Sequence, residues 1–441
     1  MRLKVLLLCA AVSLPGAASA NELLRVYELA QQNDMQFQAA TAQRDAAIEA
    51  KPQARAAFLP QINGAYSRGR NFQDTTYENS TVFGPPRRDV FTSDGLQATL
   101  NQTIFNWQYF AQLRQSDDQV ALAAASYNAS QQSLVLRVAS AYFDVLSAAD
   151  SLRTSQSENK ALGRQLDQAK QRFDVGLAAV TDVQDSQARY DLTLATLISA
   201  EQNLANAKEA LTVITGEGTS QTTTLREDFS LPPPAPENVD SWVASAKQGN
   251  FDLLTAQLQA EISNRGIDVA WAKHLPTVGL MAQYSDGKQG GLFGAQQTTR
   301  EIQLQVNVPI FSGGAAQSGV RQAKATHAQY QAMYEGQKRV TEQQTRNAYL
   351  GVISGAQRVK ALKQAVLSNN TALSASETGV QVGTRTALDV LNAEQLLYAS
   401  QRDYYRSRYD YLLSFLQLKA AAGSLTVQDL SVIDNLIVAA P

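Results

Sequence analysis

The feature that most restricts what this chain can fold into is that it is written twice. Phe173-Asp174-Val175-Gly176, followed by Thr181-Asp182-Val183, returns 207 residues later as Val380-Gln381-Val382-Gly383, followed by Leu388-Asp389-Val390. The same offset carries Ala141-Tyr142 onto Ala348-Tyr349 and Gly216 onto Gly423. A repeat of this kind is read before any motif, because both copies are expected to build the same supersecondary unit. Leu59-Pro60 and Ile104-Phe105 lie about ten residues further apart than Leu275-Pro276 and Ile310-Phe311. The surplus falls around Tyr77 to Phe91, a polar stretch with Gly84-Pro85-Pro86 that reads as a longer loop. Between the copies, Pro232, Pro233, Pro234 and Pro236 prevent a helix from running through. The expected division is therefore a first repeat over 21–216, a Pro-rich linker over 217–236 and a second repeat over 237–441.

Each copy reads as helix, strand, strand, very long helix, turn and helix. The long helix is expected from Gln108 to about Phe173, with Val135, Val138, Tyr142, Val145, Ala149 and Leu152 spaced alternately by three and four, a heptad seam. Its copy holds Tyr349, Val352, Ala356 and Val359 in the same register. At about 1.5 Å per residue such a helix reaches about 100 Å, far beyond a small domain. After a turn at Val175-Gly176-Leu177, a second seam through Val183, Tyr190, Leu194, Leu197, Leu204 and Leu211 runs back. Gly216 and Gly423 are expected to stop the returning helices. The composition, rich in Ala, Gln and Leu with only 7% aromatic residues, suits long helices with narrow seams.

The strands show a two-residue period. Val278, Leu280, Ala282 and Tyr284 alternate with Thr277, Gly279, Met281 and Gln283, and Ile302, Leu304, Val306 and Val308 alternate with Glu301, Gln303, Gln305 and Asn307. In the first copy Leu96, Ala98 and Leu100 stand against Gln97, Thr99 and Asn101. One apolar and one polar face over nine to eleven residues is the pattern of a membrane strand, and Phe105, Trp107, Trp271 and Phe311 fall where an interfacial aromatic girdle belongs. Beyond the first twenty residues no apolar run is long enough for a membrane helix, so strands are expected to do any crossing. An unpaired strand edge in hydrocarbon costs several kcal/mol per exposed N–H or C=O, at roughly this magnitude. Closed barrels begin at about eight strands. Four strands per chain therefore imply an oligomer whose copy number this argument leaves open.

The start, with Arg2 and Lys4, an apolar run from Val5 to Val12 and Ala18-Ser19-Ala20, reads as a secretory signal over 1–20. Its removal takes the formal charge from −2 to −4, since only Arg2 and Lys4 are lost. Nothing basic enough for nucleic acid remains. Cys9 is the only cysteine; it lies in the signal and follows Leu8, so neither a lipid anchor nor any thiol chemistry is expected in the mature chain. His274 and His327 sit on different elements, Asp117-Asp118 falls on a helix surface, and Gly290, Gly291 and Gly294 lie in a strand-to-strand loop. No catalytic, metal or cofactor site is expected, and the chain does not read as an enzyme.

Several spaced motifs resemble the TolC family of outer-membrane efflux and secretion channels. They are Asn101-Gln102-Thr103-Ile104-Phe105-Asn106-Trp107, its counterpart Asn307 to Gly314, and the two hairpin-tip motifs at 173–184 and 382–391. The resemblance covers essentially the whole mature chain. It implies a homotrimer with a twelve-stranded β-barrel in the outer membrane lipid, continued by an α-helical coiled-coil tunnel across the periplasm. It also implies a periplasmic adaptor at the tip, an ABC or RND inner-membrane pump behind it, and a passive exit role in type I secretion or drug efflux. The missing lipidation cysteine and the Val-Gly-Thr-Arg tip resemble the type I secretion branch.

The resemblance further implies a periplasmic gate. Arg385, Thr181 and Asp182 match three of its positions, whereas Val380 stands where the family has a tyrosine, leaving a closed state held mainly by Arg385. Asp389 matches the first of two inward aspartates; Asn392 stands at the second, and Asp185, its repeat equivalent, is a candidate for the displaced carboxylate. A ring of Asp389 carboxylates is expected to favour cations. The competing reading is a periplasmic coiled-coil adaptor or scaffold without its own pore, which would not need two amphipathic strand pairs. The 77–91 loop is expected to face outward, where a receptor role stays open.

Overall fold

The structure is a computed structural model that describes residues 22–76, 87–218, 223–226, 233–290 and 294–439. The expected signal, most of the 77–91 loop, Gly291 and part of the linker lie outside the described residues. The element order is α1 (Glu22–Asn33), α2 (Met35–Ile48), α3 (Ala50–Ala56), β1 (Gln61–Thr75), β2 (Arg87–Phe105), α4 (Trp107–Asp174), α5 (Val180–Thr215) and β3 (Thr223–Leu225). The second half follows with α6 (Val239–Gly249), α7 (Phe251–Trp271), β4 (Thr277–Gln289), β5 (Ala295–Asn307), α8 (Ala315–Gln381), α9 (Ala387–Ala421), α10 (Val427–Asp434) and β6 (Ile437–Ala439). Two compact units result, each drawing on both repeats: residues up to 42, 125–254 and from 336 form one, and 43–124 with 255–335 form the other.

The first unit is helical. Leu23, Val26, Tyr27 and Ala30 form one stripe of α1 and share a core with Leu134, Val135, Val138, Tyr142 and Leu146 of α4, Leu412 and Leu416 of α9, and Leu430 and Ile433 of α10. Each fully buried aliphatic side chain of this kind contributes about 1.5–3 kcal/mol. The upper part of the expected α4 seam is buried, but Ala149 and Leu152 are only half-buried because the helix turns Asp150 and Thr154 inward there. On α5 the contact line runs through Ser186, Tyr190, Thr193, Leu197, Ala200, Leu204, Ala207 and Leu211, alternating four and three. Leu194, expected in that seam, is exposed; Thr193 takes the position and accepts a hydrogen bond from Asn159 Nδ2 of α4 at 3.1 Å. Gly216 ends α5 at φ 74°, with its N–H donating to Thr212 O, and Gly423 sits at φ 72° just past α9. In α8 only Val352 of the expected seam is buried, while Ala356 is exposed.

The segment read as a linker contains a strand. β3 pairs antiparallel with β6, matching Thr223 to Ala439 and Leu225 to Ile437. Asp150 pins this ribbon to the helices by accepting from Tyr409 Oη (2.7 Å), Thr224 Oγ1 (3.1 Å) and Arg153 Nη2 (2.9 Å). Arg408, 1% exposed, donates to Arg226 O at 3.2 Å, lies 3.8 Å from Asp150 and stacks on the rings of Tyr404 and Tyr405.

The second unit carries a four-stranded antiparallel sheet in the order β1-β2-β4-β5, so the hairpins of the two repeats meet at β2 and β4. The strands hold 15, 19, 13 and 13 residues, longer than the nine to eleven expected, because the ladder continues past the apolar rows into charged ones near the loops. Registry assigns the faces. Ile62, Leu100, Ala282 and Ile302 form one cross-strand row, and Leu280 with Leu304 lies in the next. The opposite face carries Asn63, Thr99, Gln283 and Glu301. A bulge between Thr103 and Phe105 shifts the register so that Phe105 pairs with Val278 on the apolar face. β1 and β5 each keep one unpaired edge. At the helix end of this unit, Phe110 packs on Phe58 (4.9 Å between centroids) and on Trp107 (6.1 Å), while Trp271 and Phe311 are exposed.

Candidate functional site

The site expected from the sequence lies at the two hairpin tips of the helical unit. Both turns use one construction. Gly176 at φ 75° and Gly383 at φ 78° reverse the chain, and the following N–H reaches back five residues, Leu177 N to Arg172 O at 2.7 Å and Thr384 N to Gly379 O at 2.8 Å. These are Schellman closures, which require a left-handed residue that glycine supplies without steric cost.

The tips differ in what they hold. In the second, the aliphatic stem of Arg385 lies across Gly379: a Cβ there would stand 2.5 Å from Arg385 Cγ. The first tip has Arg172 and Ala178 at the equivalent positions, so its turn carries neither the bare backbone nor the stem laid over it. Among the described residues the exposed Arg385 guanidinium makes no ion pair within its own chain. Thr386 caps α9. Asp389 N donates to Thr386 Oγ1 (3.2 Å), and Asp389 Oδ2 accepts from Thr386 N (2.9 Å) and Oγ1 (2.8 Å), a closed capping box. Hydrogen bonds from the Thr386 backbone and hydroxyl, aided by the nearby Arg385 charge, hold the Asp389 carboxyl below its usual range, so it stays ionised. At the start of α5, Ala179 has no side-chain acceptor, and only Asp182 Oδ2 reaches back, to Ala179 N at 3.3 Å.

Asn392 is engaged by a residue that sequence reasoning missed. Arg189 of α5 donates to Asn392 Oδ1 (3.0 Å) and to Gln395 Oε1 (2.6 Å), bridging the two returning helices. Thr181 and Asp185 are exposed, and Val380 is half-buried at the end of α8. Within one chain the structure brings Asp389 to Thr386 and Arg385 to Gly379; it does not bring Arg385 to Thr181 or Asp182.

Further along α9 lies a second missed residue. Glu394 is 6% exposed and its Oε2 has no hydrogen-bond partner. Burial, with Glu377 of α8 and Glu158 of α4 adding repulsion against the relief from Arg164, pushes its carboxyl up to about 7. Glu158 is itself matched by Arg402 at 2.5 Å. No sequence pattern marks Glu394, because its burial depends on three helices meeting.

Comparison with known proteins agrees with this architecture. The outer membrane efflux protein family profile matches residues 26–217 and 242–424. The chain is 35% identical over 422 residues to outer membrane protein TolC of Vibrio cholerae, covering 95% of this chain and 94% of that protein. It is 29% identical over 418 residues to alkaline protease secretion protein AprF of Pseudomonas aeruginosa, covering 93% and 86%. Among solved structures it superposes on the CusC channel with TM-score 0.78 at 19% identity over 91% and 92% of the two chains. It also superposes on VceC of Vibrio cholerae with TM-score 0.75 at 21% identity over 91% and 96%. On the two matched repeats and on relatives aligned from end to end, the chain belongs to the outer membrane efflux protein family.

Proposed function

We propose that this chain is one protomer of a trimeric outer-membrane exit duct that takes cargo from a periplasmic adaptor and an inner-membrane pump. The observation that carries it is the sheet: four strands, one face apolar and one polar, open at both edges. Three copies close twelve strands, turn the polar faces to water and leave no edge in lipid. A soluble scaffold has no use for an apolar sheet face of this extent, which disfavours the poreless reading. Relatives named as protease secretion proteins, AprF and PrtF, suit an apparatus of the type I secretion kind, and BepC, named as an efflux protein, suits export of small compounds. The family consists of channels, and the mechanism here is passive: cargo moves through water while the pump supplies energy and selectivity.

The gate reading assigns Arg385 as the fastening between neighbouring hairpins, with Thr181 and Asp182 as its acceptors on the next helix pair and Val380 contributing no hydroxyl. What supports it is a guanidinium whose stem is fixed over Gly379 while its head has no ion-pair partner among the described residues of its own chain. Three Asp389 carboxylates, ionised through their capping hydrogen bonds, form the constriction ring. Arg189, on Asn392, adds positive charge one turn away and weakens that ring's hold on multivalent cations. Asp185 is the less supported contributor. The test is planar-bilayer conductance of the purified oligomer. Small cation-selective steps are expected, losing selectivity in Asp389→Ala and growing larger in Arg385→Ser. A folded oligomer that forms no channel would return the chain to the scaffold reading.

A further inference from the structure

The sheet distributes its charge unequally between its two faces. Registry puts Arg68, Arg70, Arg88, Lys288 and Arg300 on the face that carries Ile62, Leu100, Ala282 and Ile302, together with Asp74, Asp94 and Asp286. The opposite, polar face carries a single cation, Arg87, paired with Asp89 at 2.8 Å, and one further carboxylate, Glu301. Cations placed to attract permeating anions would sit on the polar face. Here the excess lies on the side that meets lipid.

Several of the basic groups are already matched. Arg88 forms a double hydrogen bond with Asp74 (2.7 and 3.0 Å), and Arg68 lies 3.4 Å from Asp94. Arg70, Lys288 and Arg300 have no carboxylate within ion-pair distance among the described residues; Arg70 leans on the Phe72 ring and Arg300 on the Tyr284 ring. Lys288 and Arg68 flank Asp94 in one row, and Arg70 stands one row beyond. From the Val278 row at the helix end to the Lys288 row is ten residues of β4. At about 3.4 Å per residue and a tilt near 45°, this gives a height of about 24 Å, matching the roughly 25 Å apolar band of such barrels. The Arg68, Lys288 and Arg70 group therefore falls at the boundary remote from the helices, level with the outer-leaflet headgroups. Arg70 and Lys288 stand two strands and one row apart, about 12 Å, enough to receive two phosphates of one headgroup. Cations there gain from anionic headgroups rather than bearing the desolvation cost of facing hydrocarbon alone.

We propose that Arg70 and Lys288, with Arg68 beside them and Arg300 reaching from below, form an outward-facing seat for the phosphate groups of an outer-leaflet lipid. The seat rests on the barrel reading above, and conductance measured in the same bilayers keeps the two separable, because outward-facing substitutions leave the channel itself intact. The experiment uses the full-length oligomer in phosphatidylethanolamine nanodiscs doped with a diphosphorylated, acylated glucosamine disaccharide, or with the same lipid after phosphatase treatment. Lipid retained through detergent exchange is counted by mass spectrometry. The unaltered protein should retain the phosphorylated form at least about tenfold in preference. R70Q/K288Q should lose that preference, R87Q on the polar face should keep it, and D94N, which removes the intervening carboxylate, should strengthen it. The proposal is overturned if both lipid forms are retained equally, if R70Q/K288Q retains the preference, or if inorganic phosphate alone displaces the lipid. Should R70Q/K288Q fail to assemble, a D94N preference no greater than that of the unaltered protein overturns it equally.

Discussion

Glu394→Gln should make the helical unit more stable at pH 8 and leave it unchanged at pH 4.5. Burial raises the Glu394 carboxyl from its ordinary 4.5 to about 7. The folded chain therefore keeps a proton that the unfolded chain has released. Stability on this account is highest below about pH 4.5, falls as pH rises towards 7, and above 7 carries the full penalty of a charged carboxylate facing Glu377 and Glu158. A rise of that size corresponds to about 3 kcal/mol, since each pKa step is worth about 1.4 kcal/mol. Glutamine keeps the shape and is neutral at every pH, so the gain in melting temperature at pH 8 should be roughly 5 °C. The assay is thermal unfolding of the detergent-solubilised oligomer, followed by helical circular dichroism from pH 4.5 to 8.5, for both proteins. The curves should converge in acid and separate through neutrality. Parallel curves would refute the reasoning, because they would mean that Glu394 is solvated or paired in the assembled protein.

Gly379→Ala should destabilise the second tip, although alanine normally strengthens a helix by up to about 1 kcal/mol, because the new methyl displaces the Arg385 stem; larger conductance steps, as in Arg385→Ser, would register it. Asn392→Asp should convert the Arg189 bridge into an ion pair worth about 0.2–1 kcal/mol, and its gain in melting temperature should fade in high salt. Asp150→Asn leaves buried Arg408 short of its counter-charge and should cost about 3–5 kcal/mol, read as a lowered melting temperature and faster proteolysis near β3.

The parts of this molecule that repeat at short range were legible in sequence. The α4 seam as far as Val145 and the two-faced strands follow from a period of 3.5 or 2 that one element carries by itself, and the turns follow from single glycines that accept a left-handed backbone. Three of the misses depend on partners distant in the chain. Leu194 has the better apolar side chain, but Thr193 occupies the seam because Asn159 is there to donate to it. β3 is three residues beside a proline run, too short for any periodicity, and exists because β6 pairs with it from the far end of the chain. Arg189 meets Asn392 across 203 residues with no spacing rule between them. The Gly379 and Arg385 pairing did leave a trace: comparing the repeats position by position shows Arg172 and Ala178 exchanged for Gly379 and Arg385 together.

The unequal helix starts at the two tips also bear on motion. Thr386 and Asp389 close a full capping box on α9, whereas α5 begins at Ala179 with half of one. A missing cap of this kind is worth about 1 kcal/mol in local opening. Around a ring of three chains, stiff and soft hairpins would then alternate, so the backbone rhythm of six is mechanically a rhythm of three. A force applied evenly at the rim would peel back every second hairpin first, and amide exchange should be faster at 180–183 than at 387–390.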